Sequence, residues 1–418
     1  MFNQIFKRRR VLVRLKNNPI SLHLESFTGY LLVRGHKVST VQAYVLAVEH
    51  FGRWHGPRLS RSHSQMLSKI NTFFGSHFVQ CKCQMPVARS LIEARAALFH
   101  FVKMLSKDSM LVRDNAKRGV TDTLIEEFQS HLRNNGGLAE STCRQRGRIA
   151  KEFILAQFKN RACRWSTVKP QDILHFVSKY GAKCRPGTVH VVAGSLRSFL
   201  KFLQLNGHCR QNLVNAVPRI TLWSLSQIPK TMTDEQISQF IQSFDKSTPI
   251  GKRDFGMALL QLELGLRVSE VAALELDDVN WRQSVIRIRG GKSGRIRELP
   301  LSKKVGTVLA NYLRRGRPVT SCRSFFVRHT VPHGTPAPVT LIRGVMRRHY
   351  ARVDGSKKWT GTHLLRHTAA TRMHCSGASL KEVGDILGHL SVDTTAIYTK
   401  VNFPKLLTVA LDWPQVRP

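Results

Sequence analysis

Apolar residues at helical spacing run through most of this 418-residue chain, and one stretch breaks that period. Ser284 to Arg289 and Arg295 to Leu301 alternate polar with apolar residues, around Gly290-Gly291-Lys292-Ser293-Gly294. Two alternating runs about a Gly-rich turn predict a β-hairpin. The chain is therefore expected to be mainly α-helical, with a small β-sheet or hairpin in its C-terminal third. A chain this long exceeds a typical single core and suggests two or three domains.

Punctuation along the chain suggests where those domains lie. Leu24 to Gly35 followed by Ser39-Thr40 and Val41 to Trp54 reads as a helical hairpin, its second helix capped by Ser or Thr. Ile125 to Gly137 followed by Ser141-Thr142 and a run to Phe158 reads the same way, as a weak internal repeat or as two ordinary hairpins. Residues 60 to 115 are mostly helical in pattern. In Thr188 to Leu205, Val191, Leu196, Phe199, Leu200 and Leu203 recur at near-helical spacing. Pro218 to Pro229 has no amphipathic pattern and precedes Thr233-Asp234-Glu235-Gln236, a capping box. The expected division is a helical extension over 1–115, a second helical block over 120–218, and a C-terminal domain over 230–418.

Charge narrows the partner. With 66 Lys+Arg against 26 Asp+Glu the chain carries +40, while 42% hydrophobic residues suffice for sizeable cores. Such an excess self-repels unless a polyanion is the usual partner, and phosphate neutralisation with counterion release makes nucleic acid the leading candidate. A ribosomal or chaperone-like RNA binder and a membrane-surface protein are the blander readings. Met1 to Asn17 is interrupted by six basic residues and lacks a clean apolar targeting segment, and no apolar run is long enough to span a bilayer. A cytoplasmic, nucleoid-associated protein is expected, with no membrane partner.

Eight scattered cysteines form no disulfide-like framework and fit reduced thiols. His77-x3-Cys81-x-Cys83 offers three metal ligands, but at no standard zinc spacing and with no evident fourth. Reduced structural cysteines are the preferred reading, so no metal is expected.

The last third holds the chemistry. Phe255 to Leu264 is an apolar helix stopped by Gly265, and Arg267 comes next at a helix junction where Glu270 can orient its guanidinium or merely pair with it. Lys292 sits at the hairpin tip, able to reach a DNA groove or simply a solvated turn lysine. The surrounding Gly-Lys-Ser lacks the upstream glycine and the succeeding helix of a P-loop, so ATP is not expected. His363 and Arg366, three apart on a helix, share a face. His363 and His367 form an i, i+4 pair, but without the glutamate and third ligand a metal site would need. Ser379 to Glu382 caps a short helix ending at Leu387-Gly388-His389, and Ser391 opens a last helix carrying Tyr398. Each residue alone has an ordinary structural reading.

Together, the segments ELGLRVSEVAALELDDV, IRGGKSGRIRELPL and HLLRHTAATRMHCSGASLKEVGDILGHLSVDTTAIYTKV resemble the tyrosine recombinase (phage integrase) family, over roughly residues 232 to 402. The resemblance implies roles. Arg267 and Arg366 take the family's two arginines, Lys292 the hairpin lysine, and His363 the H-x-x-R histidine. His389 is the second histidine and Tyr398, nine residues later, the nucleophile. The 120–218 block is similar to the family's core-binding (SAM-like) DNA-binding domain. The N-terminal extension resembles, more loosely, recombinases encoded in tandem sets by transposon-like elements.

The activity that this resemblance implies is site-specific recombination. Tyr398 attacks a scissile phosphate of double-stranded DNA, giving a 3′-phosphotyrosyl bond and a free 5′-hydroxyl. The arginines fork onto non-bridging oxygens. Lys292 protonates the leaving oxygen, His363 accepts the phenolic proton and His389 bonds the phosphoryl group. The covalent bond conserves the phosphodiester energy, so no cofactor is expected. The resemblance also implies a homo- or hetero-tetramer with related recombinases around two duplexes. A type IB topoisomerase-like enzyme and a catalytically idle DNA-binding accessory subunit are the alternatives.

Overall fold

The mostly apolar run at 255–262 lies in a helix, Pro249–Glu263, in which ten consecutive residues from Arg253 to Leu262 are buried, as expected of a helix enclosed on all sides. Thr248 caps it by accepting from the Gly251 N–H, and Pro249 supplies the preset φ of a first helical position. In this computed structural model the described residues are 2–60, 62–83, 90–107, 120–159, 163–209, 213–221, 229–289, 296–354, 361–389 and 395–401. The chain divides into two compact units, Met1–Asp114 with Ile228–Pro418, and Asn115–Gln227.

In the first unit the C-terminal segment packs helices Lys303–Arg315 and His363–Cys375 against Pro249–Glu263. A three-stranded antiparallel sheet runs β1 (Val279–Asn280), β2 (Val285–Ile288), β3 (Arg297–Pro300). The predicted hairpin is the β2–β3 pair, in register Ile286 with Leu299 and Ile288 with Arg297. Its tip, including Lys292, lies outside the described residues. Both predicted capping boxes are formed, with Thr233 accepting from Gln236 N–H and Ser379 from Glu382 N–H. The same unit contains a separate helical core around Phe27, Phe51, Phe73 and Phe101, built by Ser21–Val33, Val38–His55, His63–Thr72 and Leu91–Lys107.

The second unit is a bundle of Val120–Asn134, Glu140–Phe158, Pro170–Gly181 and Pro186–Leu205. Gly147 lets two helices close up, since a Cβ there would lie 2.2 Å from Gln129 Nε2. Phe199 meets Phe128 edge to face at 5.1 Å and is fully buried, so truncating it to Ala would cost about 3–5 kcal/mol. Val191, expected in this core, is exposed; Val189 and Val192 face inward instead.

Two helix starts differ from expectation. Val38–His55 is capped by Lys37 and Glu140–Phe158 by Ala139, neither with a side-chain hydrogen bond, so Ser39-Thr40 and Ser141-Thr142 fall within the first turn. Solvent can satisfy exposed first-turn N–H groups, which weakens the pull of a nearby hydroxyl. The Pro218–Pro229 segment lies largely outside the described residues. Among the described residues no helix is long and apolar enough to cross a membrane.

Candidate active site

The site is built on two glycines and the carbonyls they expose. Gly265 ends the central helix at φ +62°, and a Cβ there would lie 2.5 Å from Leu387 Cδ2. Gly388 ends helix Leu380–Leu387 at φ +65°, where a Cβ would meet the Arg297 guanidinium at 2.8 Å. Both backbone conformations belong to glycine.

Those carbonyls hold the two predicted arginines side by side. Arg366, one turn into His363–Cys375, is buried and donates from Nη1 to Gly265 O (2.6 Å) and from Nη2 to Leu387 O (2.7 Å). Arg267 donates from Nη1 to the same Leu387 O (3.1 Å) and from Nη2 to Gly388 O (3.1 Å). The negative carbonyl end of Leu380–Leu387 thus faces both cations. Burial, then the neighbouring Arg267 charge, pulls Arg366 down to about 10, which leaves it charged at neutral pH.

Glu270 anchors the pair. Its carboxylate accepts from the Arg267 backbone N–H (2.8 Å) and from Arg267 Nη1 (2.9 Å), the orienting role read from sequence. It also takes a two-point clamp from Arg297, Nη1 to Oε1 (3.1 Å) and Nη2 to Oε2 (2.9 Å). Burial pushes the Glu270 carboxyl up, but the bonds from Arg297 and Arg267 outweigh it and hold it below the usual range. Three guanidiniums against this one carboxylate leave an excess of two positive charges.

Arg297 escaped the sequence reading. The available signal was its phase: two residues before buried Leu299 on β3, it points to the inner face.

The phenol lies beside these cations. Tyr398, on the short 3₁₀ segment Ala396–Val401, is 1% exposed and packs with Ala370, Val383 and Leu387. An α-helix was expected around it; the residues preceding Thr395 in that stretch lie outside the described set. Burial raises the Tyr398 pKa, and the charges of Arg366 and Arg267 oppose the rise.

Three histidines surround the phenol and the arginines. Nδ1 of His367 is 3.0 Å from the Tyr398 hydroxyl. Burial, then His363 and Arg366, lowers His367 to about 4, so its ring is neutral near pH 7. His363, assigned the phenolic proton from sequence, lies exposed at the helix start, its ring 6.1 Å from that of His367. Partial desolvation, then Arg366, Arg267 and Arg343, lowers its pKa. His389 Nδ1 is 2.8 Å from Thr395 Oγ1, and burial with Arg366 and Arg267 lowers its ring to about 4. Five of the six predicted residues are therefore gathered in one region, and the sixth, Lys292, lies outside the described residues.

A guanidinium has five N–H donors. Among the described residues, Arg267 commits three and Arg366 two, which leaves donors on both for an incoming anion. Paired cations, a phenol and neutral imidazoles suit nucleophilic attack on a phosphodiester.

Comparison with known proteins agrees with this chemistry. The phage integrase family matches residues 230–405. The chain is 33% identical over 407 residues to "Putative integrase/recombinase y4rA" of Sinorhizobium fredii, spanning 96% of this chain and 97% of that protein. Tyrosine recombinase XerA of Pyrococcus furiosus is 29% identical over 279 residues, 66% of this chain and 89% of that one. A crystal structure of XerH site-specific recombinase bound to palindromic difH substrate, a post-cleavage complex, shares the fold at TM-score 0.55 and 19% identity, over 72% of this chain and 90% of that one. The chain belongs to the phage integrase family and is a tyrosine recombinase, a member of a family of DNA strand-transferring enzymes.

Proposed function

We propose that this protein is a site-specific recombinase that cuts and rejoins double-stranded DNA through a phosphotyrosyl intermediate at Tyr398, in the integration, excision or transposition of a mobile element. The observation that carries the reading is the shared Leu387 carbonyl. It holds Arg267 and Arg366 side by side, within electrostatic reach of a phenol already hydrogen-bonded to an imidazole.

In this mechanism one phosphate takes the remaining N–H donors of Arg267 and Arg366. The Tyr398 proton passes to His367 Nδ1 as the phenolic oxygen bonds to phosphorus and the bond to the 5′ oxygen breaks. Lys292 gives that oxygen its proton, and His389 bonds the phosphoryl group. A 5′-hydroxyl from the partner strand then attacks phosphorus and releases the tyrosine, so the number of phosphodiesters is unchanged. The preorganised donors contribute on the order of 10²–10³ each in rate. Because the phenol is 1% exposed, the Ala396–Val401 segment shifts when DNA binds, so that Tyr398 reaches the phosphate.

Domains over 1–115, 120–218 and 230–418 fit a protein that grips a duplex beside its catalytic part, and four protomers around two duplexes would complete exchange. The test compares plasmids carrying one or two recombination sites. Rearranged products from two sites, absent with one, support the recombinase. Relaxation of both plasmids without rearrangement would instead indicate a topoisomerase-like enzyme, and neither product despite binding an accessory subunit.

A further inference from the structure

The sequence offers His77, Cys81 and Cys83 as three ligands in search of a fourth, and the fold supplies it from 27 residues upstream of His77. His50, in the last third of Val38–His55, places its Nε2 3.0 Å from His77 Nε2 and 3.3 Å from Cys81 Sγ. Cys83 Sγ lies 3.6 Å from His77 Nε2. All four donor atoms fall within 4.8 Å of one another.

Ordinary hydrogen bonding accounts poorly for this convergence. A ring nitrogen has one lone pair or one proton, in a single direction. Yet His50 Nε2 faces both an imidazole and a thiol, and His77 Nε2 does the same. Four donor atoms gathered this closely are what a small cation requires. Bonds of about 2.05 Å to nitrogen and 2.3 Å to sulfur, arranged tetrahedrally, place nitrogens ~3.3 Å apart and nitrogen ~3.6 Å from sulfur. The separations of 3.0 Å between nitrogens and of 3.3 and 3.6 Å between nitrogen and sulfur are within a few tenths of an ångström of those values.

The surroundings hold the donors in place. A π-helical turn, Phe73–His77, widens the backbone just where His77 must swing toward His50; such turns recur at functional sites. Phe73 packs edge to face on His50 at 5.2 Å and stacks on His77 at 5.5 Å, and Trp54 lies 6.2 Å from His77. The Cys83 backbone N–H donates to Cys81 Sγ at 3.3 Å, a contact that stabilises a thiolate.

We propose that His50, His77, Cys81 and Cys83 bind one Zn²⁺ as a closed, structural site in the N-terminal extension. Two neutral imidazoles and two thiolates complete a tetrahedron and balance the ion's charge. Binding releases the two thiol protons. With no open coordination position the ion takes no part in strand transfer. It ties Val38–His55 to the 77–83 segment, and so steadies the core around Phe51 and Phe73.

The test is metal analysis of the full-length protein, purified under reducing conditions without chelator. About one zinc per chain is expected. Cys83→Ser and His50→Ala should each reduce it severalfold, while Cys375→Ser, on the exposed end of another helix, should not. Should those variants misfold, the wild-type chain still decides. Mercurial modification of its thiols should release the zinc stoichiometrically, and cobalt substitution should give the visible bands of a tetrahedral thiolate site. Zinc far below one per chain together with no tetrahedral cobalt spectrum would overturn the proposal, as would undiminished zinc in a soluble Cys83→Ser variant.

Discussion

His367 Nδ1 lies 3.0 Å from the Tyr398 hydroxyl, while His363, the histidine that the H-x-x-R pattern singles out, is exposed at the helix start. The phenol thus has a neutral imidazole as its hydrogen-bond partner before DNA arrives. His367→Ala should slow single-turnover cleavage by about 10²–10⁴, the usual contribution of a positioned general base. The His367→Ala loss should shrink as pH rises toward the phenol's own ionisation. A pH–rate profile checks this; a pH-independent loss, or full activity in His367→Ala with loss in His363→Ala, returns the proton to His363.

Glu270 ties Arg267 and Arg297 together from a side chain that is 2% exposed. Glu270→Ala leaves the partly buried Arg297 and the more open Arg267 without their counter-charge and should cost about 3 kcal/mol, read from urea unfolding. Because the folded carboxyl is held below its ordinary value, the stabilisation is present above the unfolded pKa. It is lost as pH falls through the folded one. The Glu270→Ala deficit should accordingly shrink in acid.

Gly265→Ala would set a methyl group 2.5 Å from Leu387 Cδ2, at a φ of +62° that strains any other residue. About 1–3 kcal/mol should be lost. Because the Gly265 carbonyl holds Arg366, cleavage should fall by more than DNA binding does. Paired cleavage and gel-shift measurements separate the two.

His329, His349, His367 and His389 are each lowered to about 4, chiefly by burial. An unfolded imidazole takes its proton near 6.5, so between about 6.5 and 4 the unfolded chain binds more protons than the folded one. Stability should decline as pH falls through that window, by roughly 5 °C or more in Tm. His349, stacked on Phe244 at 3.7 Å between centroids, should supply part of the slope, and His349→Phe should flatten it.

Short-range physics accounts for what was legible in the sequence. The hairpin comes from alternation, the Thr233 and Ser379 caps from four-residue boxes, and the Arg267–Glu270 pair from one helical turn. Contacts between distant segments account for what escaped. Arg297 meets Glu270 across 27 residues, and His50 meets Cys81 across 31. His367 shares a helical face with His363, yet only the arrival of Tyr398 from 31 residues away gives it a partner. The carbonyls of Gly265, Leu387 and Gly388 carry no side-chain signature, although the glycines flanking them do.

Covalent trapping on a nicked suicide duplex that carries the protein's recombination site tests the role of Tyr398 most directly. The wild-type protein should give a detergent-resistant adduct, with the DNA 3′-phosphate mapped by mass spectrometry to Tyr398. Tyr398→Phe should bind the duplex equally well and form none. An adduct that survives in Tyr398→Phe, or a wild-type protein that binds its site without ever becoming attached, would contradict the claim that this phenol is the nucleophile.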